Sequence, residues 1–473
     1  MSWLPIADIA AKVQSGELSA ADMVEKSLRA IEEKKEYNAI IATTAERARE
    51  RAASIDAAVK NGQKAGRLAG VPFIAKDNYL VFGAETTAAS NMLKGFVAPY
   101  QSTVINRLEE EGAICVAKAN LDAFAHGAST ENSDFGVTKN PVDPERVPGG
   151  SSGGSAAAVV LELAPFALGS DTGGSIRQPA SFTGCVGYKP TYGLTSRSGV
   201  VAMASSTDVM GPLTRTVDDA ALVFDVFAGP DALDGTTIER DKDGYADNLD
   251  TSLQGKKVGV VKEYMGEGLD PGVKAQIQAA VDKMRDAGAE IVEVSLPSVP
   301  LALAVYYIVA PAELSSNLSR HDGQRYEFSY KDAKDLDESY TKSRGIGFGS
   351  EAKRRIMIGT FVLSSGYYDA YYRKAQTVRT KLINEFNEAF KQVDFMVGPT
   401  APTPAFKIGQ NANDPLQMYL ADVMTVGASL VGVPAIVVPA GLSDGLPVGL
   451  QIMAPQRADR ALFGLAKGVE EIL

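Results

Sequence analysis

Apolar residues change their spacing several times along the chain, and each change predicts a new element. Over the first 65 residues the spacing is helical. Ser19 with Asp22 three positions on resembles a capping box, and Met23, Leu28 and Ile31 behind it share one face. A second helical run, ERARERAASIDAAVK, stops at Asn61-Gly62. GVPFIAKDNYL then reads as a short apolar strand that carries Lys76 at its end, and AICVAK as another.

Between residues 146 and 200 glycines interrupt an otherwise ordered apolar pattern. The reading there is a loop at 148–153, a helix over Ser155–Leu163, a strand at Phe166–Ser170 and a tight turn into a second helix at Ser175. The polar stretch ERDKDGYADNLDTSLQGKK reads as a surface connection. After it, KVGVVKEY, a helix with Val273, Ile277, Val281 and Met284 on one face, and EIVEVSL form a βαβ unit. Residues 300–390 are mostly helical. The end returns to strands, VDFMVGP, AIVVPAG and VGLQIM, the last two joined by a loop containing Asp444-Gly445. Length alone would suggest about three domains. Because strands from both halves suit one sheet, the expectation is instead one domain over residues 1–473. It is of the α/β class, with a central mixed β-sheet covered by helices on both faces, and the helical regions 1–65 and 300–390 belong to it.

Charge narrows the partners. The formal net charge of −11 argues against an electrostatic hold on nucleic acid by this chain alone. Cys115 and Cys185 stand in apolar contexts and read as buried free thiols. MSWLPIADIAAKV shows no basic stretch followed by an apolar one, so no secretory signal is visible. The longest apolar run found, AAAVVLELAPFALG, is broken by Glu162 and Pro165 and is too short to span a bilayer. A cytoplasmic protein with no membrane partner is the expectation.

The chemistry starts from a scarcity. His126 and His321 are the two histidines, and neither has HxxxH or HxE spacing, so a His-based triad or a metal site is disfavoured and no metal is expected. No GK[ST] follows the glycines and no GxGxxG is present, which excludes the common phosphate loops; a flexible linker would not be interrupted by AAAVVLELAPFAL. DTGGS offers something else. The successive N–H groups of Thr172, Gly173, Gly174 and Ser175 face one side of a turn and suit the oxyanion of a tetrahedral intermediate. Ser175 could then attack the carbonyl held there, given a base. Lysine serves only when neutral, which burial achieves, and Lys76 follows the apolar strand VPFIA. Position alone favours a blander reading of Lys76, a surface lysine paired with Asp77.

Taken together, Lys76, GGSSGGS and GSDTGGSIRQPA resemble the amidase signature family over nearly the whole chain. The resemblance implies a relay of Lys76, Ser151 and Ser175, with the middle serine following a cis peptide; family spacing selects Ser151 over Ser152. The flanks HGASTENSDFGVTKNPVDPERVPGGSSGGS, SSNLSRHDGQRY, EAKRRIMIGTFVLSSGYYDAYYRKAQTVRT, PTAPTPAFKIG and DGLPVGLQIMAP are similar to the A subunits of glutamyl-tRNA(Gln) amidotransferases. That likeness implies glutamine as substrate and ammonia donor, with Arg355 on its α-carboxylate, Asp422 on its α-ammonium, Tyr306 at the pocket and Ser129 as a weaker contact. It also implies that this chain needs no cofactor. ATP and magnesium would belong to the B subunit of such an amidotransferase, which would also take most of the contact with tRNA, and a small C subunit would join. The alternatives are a free-standing amidase acting on small or acyl amides, and a binding role without catalysis. Two departures stand out. Gly427-Ala428-Ser429-Leu430-Val431-Gly432 replaces the usual Pro-x-Asn-Leu-Ala-Gly, which puts the pocket rim near Asp422 in question, and His126-Gly127 replaces the Met-Gly expected before STENS.

Overall fold

A computed structural model describes residues 2–412 and 414–473. Its strands are β1 (Ile40–Thr43), β2 (Pro72–Lys76), β3 (Ile114–Ala119), β4 (Phe166–Asp171), β5 (Val186–Lys189), β6 (Val209–Thr214), β7 (Lys257–Val261), β8 (Glu290–Val294), β9 (Phe395–Pro399), β10 (Ala435–Ser443) and β11 (Leu446–Met453). All eleven lie in one sheet, in the order β1-β3-β2-β4-β6-β5-β10-β11-β9-β7-β8. The sheet is mixed. β3, β2 and β4 run parallel, as do β9, β7 and β8, while the remaining pairs are antiparallel. Strands from both ends of the chain therefore share one sheet.

Burial explains why the inner strands are continuous apolar runs. Every residue of β2, β3, β4, β5, β6, β9 and β11 is buried, whereas the edge strands β1 and β8 keep exposed positions. A strand buried at every position needs cover on both faces, and helices supply it. Between β10 and β11 the two residues Asp444 and Gly445 adopt φ of 50° and 79°, as a two-residue hairpin loop with the right twist requires. The helices of residues 300–390 pack largely on a second apolar cluster beside the sheet. Within them, Val299–Arg320 is long and apolar enough to cross a membrane by length and composition, more so than the run around Glu162. It is used as a core helix here, burying Tyr306, Val309 and Leu314.

Three sequence expectations shift locally. Ser19 Oγ does accept the Asp22 N–H, but the Asp22 side chain does not complete the box; Asp56 of the next helix accepts the N–H groups of Ala20 and Ala21 at 2.7 and 3.1 Å. The helix expected over Ser155–Leu163 runs Gly153–Val160. The helix expected to open at Ser175 runs Arg177–Thr183: Gln178 N–H already bonds to Gly174 O at 2.8 Å, but Pro179 has no N–H for Ser175 O, and the Asp171 carboxylate caps the free N–H groups of Ile176 and Arg177. Ser175 is thereby left in the turn.

Parallel pairing of β2 with β4 sets the carboxyl ends of both strands, Lys76 and Asp171, on one edge of the sheet. Alternation then separates Lys76 from its neighbour. Asp77 pairs with Lys118 Nζ at 2.7 Å, both side chains fully buried, and accepts the Thr87 N–H at 3.0 Å. The blander reading of Lys76 as the partner of Asp77 is thus excluded. Removing one half of such a pair leaves an uncompensated buried charge. Lys118→Met is expected to destabilise the protein by about 3–5 kcal/mol, with the double variant Asp77→Asn/Lys118→Met losing less. Denaturant midpoints of the three proteins check this; a single variant as stable as the parent would contradict it.

Candidate active site

Lys76 is fully buried, and its ammonium nitrogen is ringed by oxygens. Nζ lies 2.7 Å from Ser151 Oγ, 2.9 Å from Ser152 Oγ and 3.0 Å from Ser170 Oγ. Burial pulls its pKa down to about 7, against the opposing charges of Asp122, Asp171 and Asp208. A neutral, hydrogen-bonded amine is therefore accessible near neutrality. Ser151 and Ser152 both touch Lys76, so contact alone does not choose between them. Their second partners differ: Ser152 Oγ also donates to Ser170 O at 3.2 Å, which ties it to β4. The Gly150–Ser151 peptide is cis.

Ser175 joins this group through the backbone, its carbonyl accepting the Ser152 N–H at 3.1 Å. Its hydroxyl forms no hydrogen bond among the described residues, so the Ser151–Ser175 link of the relay is not closed here. Around it, the N–H groups of Thr172, Gly173, Gly174 and Ser175 likewise meet no acceptor among the described residues. Four free amides in one turn suit a developing oxyanion. The glycines are needed for space: a Cβ at Gly173 would lie 2.5 Å from Tyr306 Cζ, and one at Gly174 2.2 Å from Thr425 Oγ1.

The turn is braced from behind. Arg177, fully buried, grips both Asp171 oxygens at 3.0 Å and donates to Thr425 O at 3.0 Å, Gln451 Oε1 at 2.5 Å and Ser429 Oγ at 2.8 Å. Burial pushes Asp171 up, but the guanidinium outweighs it and holds the carboxyl below its usual value. Thr425 Oγ1 closes the frame by donating to Gly173 O at 2.6 Å.

A cavity of about 210 Å³ has a lining that includes Asp122, Ser129, Tyr307, Glu351, Arg355 and Tyr419; Asp422 and the turn residues do not line it. Asp122 connects the two regions: its carboxylate accepts the N–H groups of Ser129 and Thr130, and a Cβ at Gly150 would strike it at 2.1 Å. Arg355 is 2% exposed. Its Nε donates to Glu351 at 2.8 Å, and its guanidinium lies over the rings of Tyr307 and Tyr419, while neither Nη donates to any described residue. Asp422 has no cation within ion-pair distance among the described residues. Burial raises it to about 7, and the Tyr307 hydroxyl donates to it at 3.0 Å. Tyr306 points elsewhere, onto Gly173 of the turn. The structure thus offers a buried cation and a buried carboxylate near a serine–lysine group.

Comparison with known proteins identifies the family. The amidase family model matches residues 22–463. The chain belongs to the amidase family. Among its relatives, the glutamyl-tRNA(Gln) amidotransferase A subunit of Koribacter versatilis (strain Ellin345) is 52% identical over 98% of this chain and 96% of its own length. That of Thermoanaerobacter pseudethanolicus (strain ATCC 33223 / 39E) is 50% identical over 99% and 96%. The crystal structure of the Thermotoga maritima A subunit superposes with a TM-score of 0.81 at 40% identity, covering 98% of this chain and 94% of that one. A bacterial aryl acylamidase of the amidase signature family superposes with a TM-score of 0.88 at 25% identity, covering 100% and 96%. Shape alone therefore does not discriminate among amidase chemistries.

The departures from the family pattern have definite places. Gly427–Gly432 forms the buried helix Val426–Val431 and its cap, and Ser429 binds Arg177 and Asp171. That segment, raised from the sequence as a pocket rim or a loop near Asp422, belongs to the brace behind the turn and does not line the cavity. His126 is buried in the cavity wall, and neither ring nitrogen has a partner among the described residues. Burial, with Arg355 nearby, holds its pKa well below normal. Sequence reasoning missed Ser170, Asp122, Tyr307, Tyr419 and Thr425. Glu351 was readable as the residue four before Arg355 on one helix.

A base that titrates near 7 has a kinetic signature. With an uncharged amide, whose binding does not draw on Asp422, kcat/KM is expected to fall about tenfold per pH unit below pH 7 as Lys76 gains its proton. A pH–rate profile flat from pH 5.5 to 8 would count against Lys76 as the base.

Proposed function

We propose that this amidase-family protein is the glutamine-hydrolysing subunit of a tRNA-dependent amidotransferase. The observation that carries the reading is the pair of buried, separately held groups: Arg355, with two free Nη groups, lines the cavity, and Asp422, without a cation, is tied to the turn through Thr425, which donates to both Asp422 O and Gly173 O. A free amino acid brings a carboxylate and an ammonium, one for each. For a neutral amide this pair would only add desolvation cost. Full-length relatives named as amidotransferase A subunits, about half identical, point the same way. A free-standing amidase shares the fold, but no specific feature of the cavity favours it.

In this reading Ser175 Oγ attacks the glutamine side-chain carbonyl carbon. Its proton passes to Ser151 as Ser151 gives its own to neutral Lys76. The amides of Thr172, Gly173 and Gly174 hold the oxyanion. Collapse of the intermediate expels ammonia, which takes the proton back along the same path, and leaves a γ-glutamyl ester on Ser175. Water attacks the ester, with Lys76 and Ser151 again moving the proton, and frees glutamate. Tyr306 packs on Gly173 and keeps the turn in shape, while Ser129 lines the carboxylate end. The ammonia goes to the B subunit of the amidotransferase, which uses ATP and magnesium to amidate Glu-tRNA(Gln) and makes most of the contact with tRNA. A small C subunit completes a cytoplasmic complex.

Two substitutions test the division of labour in the assembled complex. Ser175→Ala is expected to abolish glutamine-dependent amidation of Glu-tRNA(Gln) while leaving the reaction driven by free ammonia; loss of both would break the assignment. Arg355→Ala should raise the KM for glutamine by roughly 100-fold, from loss of a charge-assisted bidentate contact. Ammonia-dependent turnover should be unchanged, and equal losses in the two assays would remove Arg355 from the pocket.

A further inference from the structure

Arg355 and Asp422 are opposite charges in one buried site, yet they form no ion pair. In a water-poor interior such charges attract strongly, so something must keep them apart. The residue between them is Tyr307. Its ring, stacked with Tyr419, flanks the Arg355 guanidinium, whose carbon is 5.2 Å from the Tyr307 centroid and 5.5 Å from that of Tyr419, and its hydroxyl donates to Asp422 Oδ2 at 3.0 Å. The ring is itself fixed by stacking on Tyr419 at 3.9 Å between centroids, and the Tyr419 hydroxyl donates to Glu351 Oε1 at 3.0 Å. Glu351 in turn holds Arg355 through Nε. The guanidinium is thus tied on one edge and covered on one face, leaving its Nη groups for a ligand.

We propose that Tyr307 is a spacer and specificity-determining residue, which sets the gap between Arg355 on the cavity wall and Asp422 behind Tyr307, so that the site selects amides bearing both an α-carboxylate and an α-ammonium. The inference rests on the glutamine reading given above. Tyr307 acts on the two charges differently. Its ring stabilises the cation and blocks its approach to Asp422. Its hydroxyl satisfies one carboxylate oxygen and leaves the carboxylate's remaining acceptor capacity for an ammonium. Tyr306, the adjacent residue, contacts the amide turn instead, so the two tyrosines serve the reacting end and the recognition end separately.

The test compares three amides on the full chain in its assembled complex: glutamine, glutaramic acid, which lacks the α-ammonium, and 4-aminobutanamide, which lacks the carboxylate. Tyr307→Phe keeps the ring and removes the hydroxyl. It is expected to lower kcat/KM for glutamine and 4-aminobutanamide at least about tenfold, through KM, the size expected for a lost hydrogen bond to a charged group. Turnover of glutaramic acid should stay within about twofold, which also shows that the variant is folded. Tyr307→Leu, without the ring, should impair glutaramic acid as well. Equal effects of Tyr307→Phe on glutamine and glutaramic acid, or no effect on either, would overturn the spacer role. A parent complex that hydrolyses simple amides but not glutamine would overturn the glutamine reading, and this inference with it.

Discussion

The ion pair between Arg177 and Asp171 is the constraint on which the rest of the site depends. Asp171 ends a central strand, and its carboxylate acts twice. It caps the first turn of the following helix by accepting the N–H groups of Ile176 and Arg177, and it holds that arginine's guanidinium. Arg177 then reaches residues 425, 429 and 451, which come from the far end of the chain. The pair therefore joins the nucleophile turn to the segment that carries Asp422. A buried pair of this kind contributes little net stability against an apolar alternative, and its worth lies in fixing one geometry.

Two buried lysines show why a shifted pKa does not by itself mark a site. Burial pulls both Lys76 and Lys189 down to about 7. Lys189 donates to the carbonyls of Pro190 and Val433, groups that cannot pass a proton on. Lys76 faces three serine hydroxyls, which can. Chemistry follows from the partners, and the pKa only permits it. Nearby, Asp122 and Asp208 are each pushed up by burial to about 6 and are held by N–H groups or by a threonine hydroxyl, not by a formal cation. They moderate the fall in the Lys76 pKa without pairing with it.

Much of this was legible in the residues, and the misses have physical causes. Strand existence followed from apolar runs, since the inner strands are buried on both faces. The turn at Asp444-Gly445 followed from turn chemistry. The amide cradle was read from DTGGS; the next helix starts later than read because Pro179 has no N–H to return to Ser175 O. Lys76 was ambiguous for a related reason: the choice between Asp77 and the serines is made by strand alternation and by Lys118, a contact 41 residues away. Tyr306 was chosen from a tyrosine pair whose members point to different ends of the site, a distinction that a helix turn of about 100° per residue makes and sequence alone does not display. The likeness to a family supplied Ser151, Arg355 and Asp422; composition and spacing did not.

The cavity end of the molecule completes the physical picture by contrast with its core. In the core, Asp77 with Lys118 and Asp171 with Arg177 are closed pairs, each charge answered from within the chain. At the cavity, Arg355 is only half answered and Asp422 has a hydroxyl where a cation would be expected. Holding charges in this state costs stability, and a fold retains it when a ligand supplies the opposite charges. Such a site gains most from a ligand that answers Arg355 and Asp422 at once, since answering either one alone leaves the other buried and unpaired. On the proposed reading, the same unpaired state that weakens the protein on its own favours an amino acid over a plain amide.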